Sequence, residues 1–289
     1  MPTCRPRLAA LPIVLAAFIL APPAAGIGSA DTAALQVALR ARGLYSETID
    51  GARGPATTAA LKAFQRRAGL PATGVLGPRT RRALGNYARH RLGARELRRG
   101  AFGWDVTALQ FLLAWHGFPS GTFDGRFGPH LTRALRQFER WVGLPPDGIA
   151  GAAVVAALRA PLPRSPLGLA WPLRGRLGDL FGPRGARFHA GLDIVAAVGT
   201  PVEAAAPGRV AYAGWLGGGW GYLVSIAHGG SGVRTLYAHL SRVSVRLGER
   251  VTTGQGVGRV GATGDASGPH LHFEVRVRGA AVDPLTALG

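Results

Sequence analysis

Cysteine is nearly absent from this chain: among 289 residues there is one, Cys4, ahead of an apolar run near the N-terminus. A lipid-bearing cysteine would follow such a run, so Cys4 does not mark a lipoprotein. If the leading segment is removed, no cysteine is left. Disulfides are then excluded as a means of holding the fold together, and any metal must be bound through nitrogen and oxygen. Long hydrophobic runs are also missing. The longest, Leu8 to Ala21, contains Pro12 and falls short of the roughly 20 residues a membrane-spanning helix requires. Lysine is as scarce as cysteine, Lys62 being the single one among 34 basic residues. Acidic residues number only 15, which leaves a formal charge of +19.

What is present begins with Arg5 and Arg7, then the apolar run, then small residues from Pro22 to Ala30. That order is the pattern of a secretory signal peptide over residues 1–30, with cleavage expected after Gly26 or Ala30, and the alternative reading is a membrane anchor. Removal changes the charge from +19 to +17, because Arg5 and Arg7 are the only charged residues in it. So large an excess attracts polyanions, either nucleic acid or an anionic wall polymer, although an arginine-rich composition can also arise without function. Export favours the wall. Hydrophobic content of 47% and charged content of 17% exclude a disordered chain.

The sequence repeats itself. A shift of 74 positions pairs Asp31 with Asp105 and continues without a gap to Leu84 and Leu158. Shared positions include Leu35-Gln36 with Leu109-Gln110, Asp50-Gly51 with Asp124-Gly125, Gly54-Pro55 with Gly128-Pro129, and Phe64 with Phe138. Apolar residues at helical spacing, such as Leu61, Phe64 and Ala68, and glycine or proline at each boundary predict three short helices per copy. Units this small fold marginally alone without disulfides, so the copies are expected to pack on each other. An arginine-rich segment from Asn86 to Gly103 leads into the second copy, and the prolines of Ala160 to Ala170 suggest a stiffened linker.

From Trp171 the pattern changes to β-branched alternation broken by glycine, which predicts short antiparallel strands. Five of the eight histidines fall here: His189, His228, His239, His270 and His272. From His270 the sequence alternates strictly, so one strand face carries His270, His272, Glu274 and Arg276, and the other Leu271, Phe273, Val275 and Val277. Taken alone, the paired histidines read more readily as two solvated surface residues than as a site. Phe188-His189-Ala190-Gly191-Leu192-Asp193 adds a histidine and a carboxylate, and His, Asp and His together offer three ligands with a fourth position left for water, as in a catalytic zinc site. His239, in Leu236-Tyr237-Ala238-His239-Leu240, is expected by alternation to share a strand face with Tyr237. With His270 it forms the candidate catalytic pair, one group to take a proton from water and one to steady an oxyanion. His228, before Gly229-Gly230, is expected to stabilise a turn or strand end, and His90, His116 and His130 to be surface or packing residues. Gly217-Gly218-Gly219-Trp220-Gly221 reads either as a substrate-groove lining or as a plain hairpin loop.

Two resemblances cover most of the chain. The repeat, with Leu35-Gln36, Asp50-Gly51, Gly54-Pro55, Thr58 and Phe64-Gln65, resembles the peptidoglycan-binding domain type 1 family; the second copy departs at Phe138-Glu139. The C-terminal segment resembles the lysostaphin-type, or LytM-type, zinc endopeptidases, through His189-x-x-x-Asp193, Tyr237-Ala238-His239-Leu240 and Gly268-Pro269-His270-Leu271-His272-Phe273-Glu274. That resemblance implies one Zn2+ held by His189, Asp193 and His272, with His239 and His270 catalytic. The expected molecule is an α+β multidomain chain: a signal peptide over 1–30, three-helix wall-binding modules over 31–86 and 95–159, a Pro-rich linker over 160–170, and an antiparallel β-rich metallopeptidase domain over 171–289. Expected partners are peptidoglycan and, as a second class, other anionic wall polymers. Neither nucleic acid nor a stable membrane anchor after signal cleavage is expected. A secreted, extracellular or wall-associated endopeptidase is the implied function, and a non-catalytic wall-binding adaptor or regulator of other hydrolases is the alternative.

Overall fold

The computed structural model describes residues 27–289. The segment expected to be a signal peptide, residues 1–30, lies almost wholly outside the described residues. No helix among them is long and apolar enough to cross a membrane.

Among the described residues, six α-helices fill the N-terminal region: α1 (Ala30–Arg40), α2 (Pro55–Arg67), α3 (Pro78–Ala83), α4 (Trp104–Trp115), α5 (Pro129–Val142) and α6 (Ala152–Ala157). The expected three helices per copy are present. Pro55, Pro78 and Pro129 each occupy the first turn, where the missing amide forfeits no intrahelical bond. In each copy a buried glutamine ties the Asp-Gly turn to the first helix. Gln36 donates to Asp50 Oδ1 (2.7 Å) and accepts from Gly51 N (2.9 Å), while Gln110 donates to Asp124 Oδ1 (2.9 Å) and accepts from Gly125 N (3.0 Å). The copies pack on each other through α1 and α4, and Phe111, Ala114 and Phe123 of the second copy join the core around Leu35, Leu39 and Phe64 of the first. That shared core offsets the small size of each unit.

Residues 160–168 carry no helix or strand, and Leu169 is already buried in the following β core. Twelve strands follow: β1 (Arg176–Leu177), β2 (Gly182–Arg184), β3 (Arg187–His189), β4 (Leu192–Val195), β5 (Pro201–Glu203), β6 (Gly208–Leu216), β7 (Gly221–His228), β8 (Val233–Val243), β9 (Arg250–Val251), β10 (Gly256–Val260), β11 (His270–Val277) and β12 (Ala280–Val282). All pairings among these twelve strands are antiparallel, as expected from the alternating pattern. The main sheet runs β1-β4-β11-β8-β7-β6-β9; β5, β10 and β12 attach at its sides, and β2 and β3 form a separate hairpin. One face buries Leu192, Ile194, Val224, Tyr237, Leu271, Phe273 and Val275.

The helical region and the β domain are joined by backbone hydrogen bonds. Ile49 N donates to Gly185 O (2.8 Å), Phe123 N to Ala186 O (2.7 Å) and Ala281 N to Gly117 O (3.1 Å). Gly117 requires glycine, since its φ is +88° and a Cβ would lie 2.2 Å from Ala281 O.

Candidate metal centre

β4 and β11 lie side by side in the sheet, and their register sets Asp193 opposite His272. The alternation read from the sequence holds on β11: Leu271, Phe273 and Val275 enter the core, while His270, His272 and Glu274 turn to the other face. His189 ends β3, four residues before Asp193, with Gly191 between them. A Cβ at Gly191 would lie 2.6 Å from Phe273 O and 2.7 Å from His272 Cε1. Only glycine lets the chain pass closely enough to β11 to bring His189 and Asp193 onto His272.

Three ligand-type atoms converge. His189 Nε2 is 3.0 Å from His272 Nδ1 and 3.1 Å from Asp193 Oδ1, and His272 Nδ1 is 2.8 Å from Asp193 Oδ1. They form the one group of three or more potential ligands found among the described residues. A tetrahedral ion with bonds of about 2.0–2.1 Å separates its ligands by roughly 3.3 Å, only a few tenths of an ångström more than these distances. The outer ring nitrogens fit as well. His189 Nδ1 lies 2.9 Å from Leu180 O and His272 Nε2 lies 3.3 Å from Glu274 Oε1. These partners only accept, so those nitrogens carry protons, and the inner nitrogens, once deprotonated, turn their lone pairs toward a shared ion, the arrangement that supports metal-ligating histidines. The residues fit a bound metal ion.

Electrostatics agrees with that fit. Burial disfavours the Asp193 carboxylate, but hydrogen bonds from His189 and His272 outweigh it and hold its pKa well below the usual carboxylate range. Burial also opposes a charged His272, yet Asp193 and Glu274 overcome it and push the imidazole up to about 9 in the metal-free chain. Buried Glu274 is in turn kept ionised, against its own desolvation, by Arg276, whose Nε donates to Glu274 Oε2 at 2.6 Å. An acid two residues beyond His272 shares its strand face by alternation, so Glu274 was visible in the sequence as a neighbour, though not as the group that orients the imidazole.

His239 and His270 flank the cluster. Their rings are 4.8 Å apart by centroid, His239 is 5.7 Å from His272, and His270 Nε2 is 3.7 Å from Asp193 Oδ1. Each anchors Nδ1–H on a backbone carbonyl, His239 on Thr263 O and His270 on Gly268 O, both at 2.8 Å. Nε2 is thereby the nitrogen free to exchange protons. Burial lowers the pKa of His239. The structure thus brings together all five residues singled out in the sequence.

The expectation that His239 shares a face with Tyr237 is overturned. Tyr237 is fully buried in the core, where its hydroxyl accepts from Ala205 N (2.8 Å), while His239 lines the cleft. The cause is local: His239 has φ +60°, and the pairings of β8 with β7 and β10 slip there. This bulge reverses the side-chain alternation.

Gly218, Gly219 and Trp220, in the β6–β7 turn, line the same cleft of about 590 Å³. The glycine-rich segment is therefore both a hairpin loop and a wall of the cleft. Arg184, 2.9 Å from Asp179 and 3.7 Å from Asp193, lines the cleft as well. His228 lies outside the cleft and bonds Pro207 O and Thr235 Oγ1, both at 2.9 Å, as a strand-end residue. His116 is buried in the second copy with Nε2 on Leu158 O (3.1 Å), whereas His130 is exposed.

A β domain that gathers two histidines and an aspartate beside a second histidine pair has the donor set of a metal-binding domain. Residues 187–284 match Peptidase family M23, and residues 28–84 and 103–158 match the family described as "Putative peptidoglycan binding domain". The chain therefore carries an M23 peptidase domain behind two peptidoglycan-binding repeats. Over 100 residues it is 47% identical to the DD-carboxypeptidase/endopeptidase Mpg of Neisseria meningitidis, covering 35% of this chain and 23% of Mpg. Over 121 residues it is 39% identical to the murein hydrolase activator EnvC of Escherichia coli, covering 41% of this chain and 28% of EnvC. Among solved structures, the lysostaphin catalytic domain from Staphylococcus simulans aligns at 34% identity with a TM-score of 0.37, over 38% of this chain and 90% of that one. The chain spans about a quarter of the length of these two curated relatives.

Proposed function

We propose that this protein is a secreted, zinc-dependent endopeptidase that hydrolyses amide bonds in peptidoglycan stem peptides or cross-bridges, with its two N-terminal repeats holding it on the wall. The observation that carries this reading is the convergence of His189, Asp193 and His272 to within 3.1 Å, with His239 and His270 beside them. One zinc ion held there would polarise the scissile carbonyl and bring the pKa of an attacking water toward about 7. His239, kept neutral by burial, accepts the proton of that water through Nε2 and returns it to the leaving amine. His270, in its doubly protonated form with Nδ1–H held on Gly268 O, donates Nε2–H to the developing oxyanion. Asp193 and Glu274 fix the orientation of His272, and Gly218, Gly219 and Trp220 leave room for an extended peptide along the cleft. The arginine-led apolar run at the N-terminus supports export, and attachment through the repeats raises the local concentration of substrate.

Purified protein should clear a peptidoglycan suspension when zinc is present. Clearing should stop with a chelator, return when zinc is restored, and be lost in His239→Ala and in His270→Ala. Clearing that persists after chelation would overturn the metal mechanism. Similarity to EnvC, whose name is that of an activator, supports a second, non-catalytic reading. Wall binding without cleavage of any peptidoglycan chemistry would favour it.

A further inference from the structure

The exposed face of α5 carries Arg133, Arg136, Gln137 and Arg140, spaced i, i+3, i+4 and i+7 along one stripe. The equivalent positions of α2 are Ala59, Lys62, Ala63 and Arg66, so the full stripe belongs only to the second copy. That copy is the one seated against β11. Trp141 Nε1 donates to Val277 O (3.2 Å), and Arg278 lies over the Trp141 ring at 5.0 Å.

A surface groove follows the stripe and continues past this junction. Gln137 and Arg140 border its stretch along α5 and also its middle stretch, where Arg276 and Arg278 take over. Arg276 then lies over Trp220 at 5.9 Å, and Trp220 lines the catalytic cleft. Along the α5 and middle stretches one lining residue is acidic, Asp147. No ion pair among the described residues engages Arg133, Arg136, Arg140 or Arg278. Unpaired guanidiniums about one helical turn apart suit carboxylates that recur along a polymer, because each fork can take a carboxylate through two parallel bonds.

We propose that this groove is a docking track for the carboxylate-bearing peptidoglycan strand, and that it leads the strand from the second module into the catalytic cleft. The inference rests on the wall as substrate and adds the surface that guides it. Single-stranded nucleic acid fits less well. Its bases need open aromatic faces for stacking, and the Trp141 face is occupied by Arg278.

The test is cosedimentation of the full chain, held in chelator so that nothing is cleaved, with purified sacculi stripped of attached polymers. Arg133→Gln/Arg136→Gln/Arg140→Gln should bind roughly tenfold more weakly than wild type, with a shallower salt dependence. Arg53→Gln/Arg66→Gln/Arg79→Gln removes the same charge from exposed sites on the first module, away from the groove, and should weaken binding far less than the α5 variant does. Amidating the sacculus carboxylates should weaken wild type to the level of the α5 variant. Equal losses in both triple variants, indifference to amidation, binding lost on stripping away phosphate polymers, or tighter α5-dependent binding to DNA would each overturn the track. The track and the peptidase reading fail separately. Arginine-dependent binding without zinc-dependent clearing sinks only the latter, and clearing with arginine-independent binding sinks only the former.

Discussion

Trp115, the last residue of α4, packs edge-on against Phe188 with ring centroids 5.3 Å apart, so a residue of the second module braces the position immediately before His189. Phe181 completes the cluster at 6.2 Å from Trp115 and 4.9 Å from Phe188. The turn of the same β2–β3 hairpin is held from the first module, where Ile49 N and Thr48 Oγ1 bond the backbone of Gly185. Both modules thus grip the hairpin that delivers one candidate ligand.

Trp115→Ala should accordingly loosen the metal site from a distance. Truncating a packed aromatic of this size costs about 3 kcal/mol. We expect lower thermal stability together with weaker zinc binding in a competition titration against a chelating dye. A variant that is destabilised yet binds zinc like wild type would show that the hairpin holds its geometry without the modules.

Glu274 acts on the site through His272. Outer partners of metal-ligating histidines are typically worth about 10- to 100-fold in metal affinity. Glu274→Ala should lose affinity in that range, and Glu274→Gln should retain more of it, since an amide oxygen still accepts from Nε2. Equal losses in the two variants would indicate a general packing defect.

Protons compete with the metal at His272. With its pKa pushed up to about 9, this group stabilises the metal-free fold fully below about pH 6.5, and that contribution is lost as pH rises through 9. An ion must displace the same proton from Nδ1. Apparent zinc affinity should therefore rise about tenfold per pH unit between pH 6.5 and 9 and then level, as read by dye competition, while the metal-free melting temperature falls over that window. A flat profile would exclude this competition.

Much of the site could be read along the chain because its parts obey local rules. His270, His272 and Glu274 share a face through strict alternation, and the helices of each repeat follow from apolar spacing and proline at the first turn. The face of His239 could not be read in this way, because a single left-handed residue reverses the alternation and nothing in Tyr237-Ala238-His239-Leu240 marks it. Contacts such as Trp115 with Phe188 or Trp141 with Val277 join segments distant in sequence, and tertiary packing of that kind leaves no periodic trace.

The one departure of the second repeat from its family pattern, Glu139 for glutamine, has a measurable consequence. In the first copy Gln65 donates to Val75 O (2.9 Å) and Thr80 Oγ1 (3.1 Å) and accepts from Gly74 N (2.8 Å). Glu139 keeps only the last of these, accepting from Gly148 N (3.0 Å), and its buried Oε1 has no partner. Burial, with Asp147 adding to it, raises its pKa. A raised carboxyl contributes stability that is complete below its ordinary value of 4.5 and is lost as pH climbs through the higher folded value. Glu139→Gln restores a donor toward Ile149 O, the counterpart of Val75 O, without changing the side-chain volume. It should stabilise the second module by about 1 kcal/mol or more at neutral pH, and the gain should shrink on acidification as the wild-type carboxyl takes up its proton. Thermal melts of the two proteins from pH 4 to 8 would show this convergence, and parallel curves would mean that Glu139 is already satisfied when ionised.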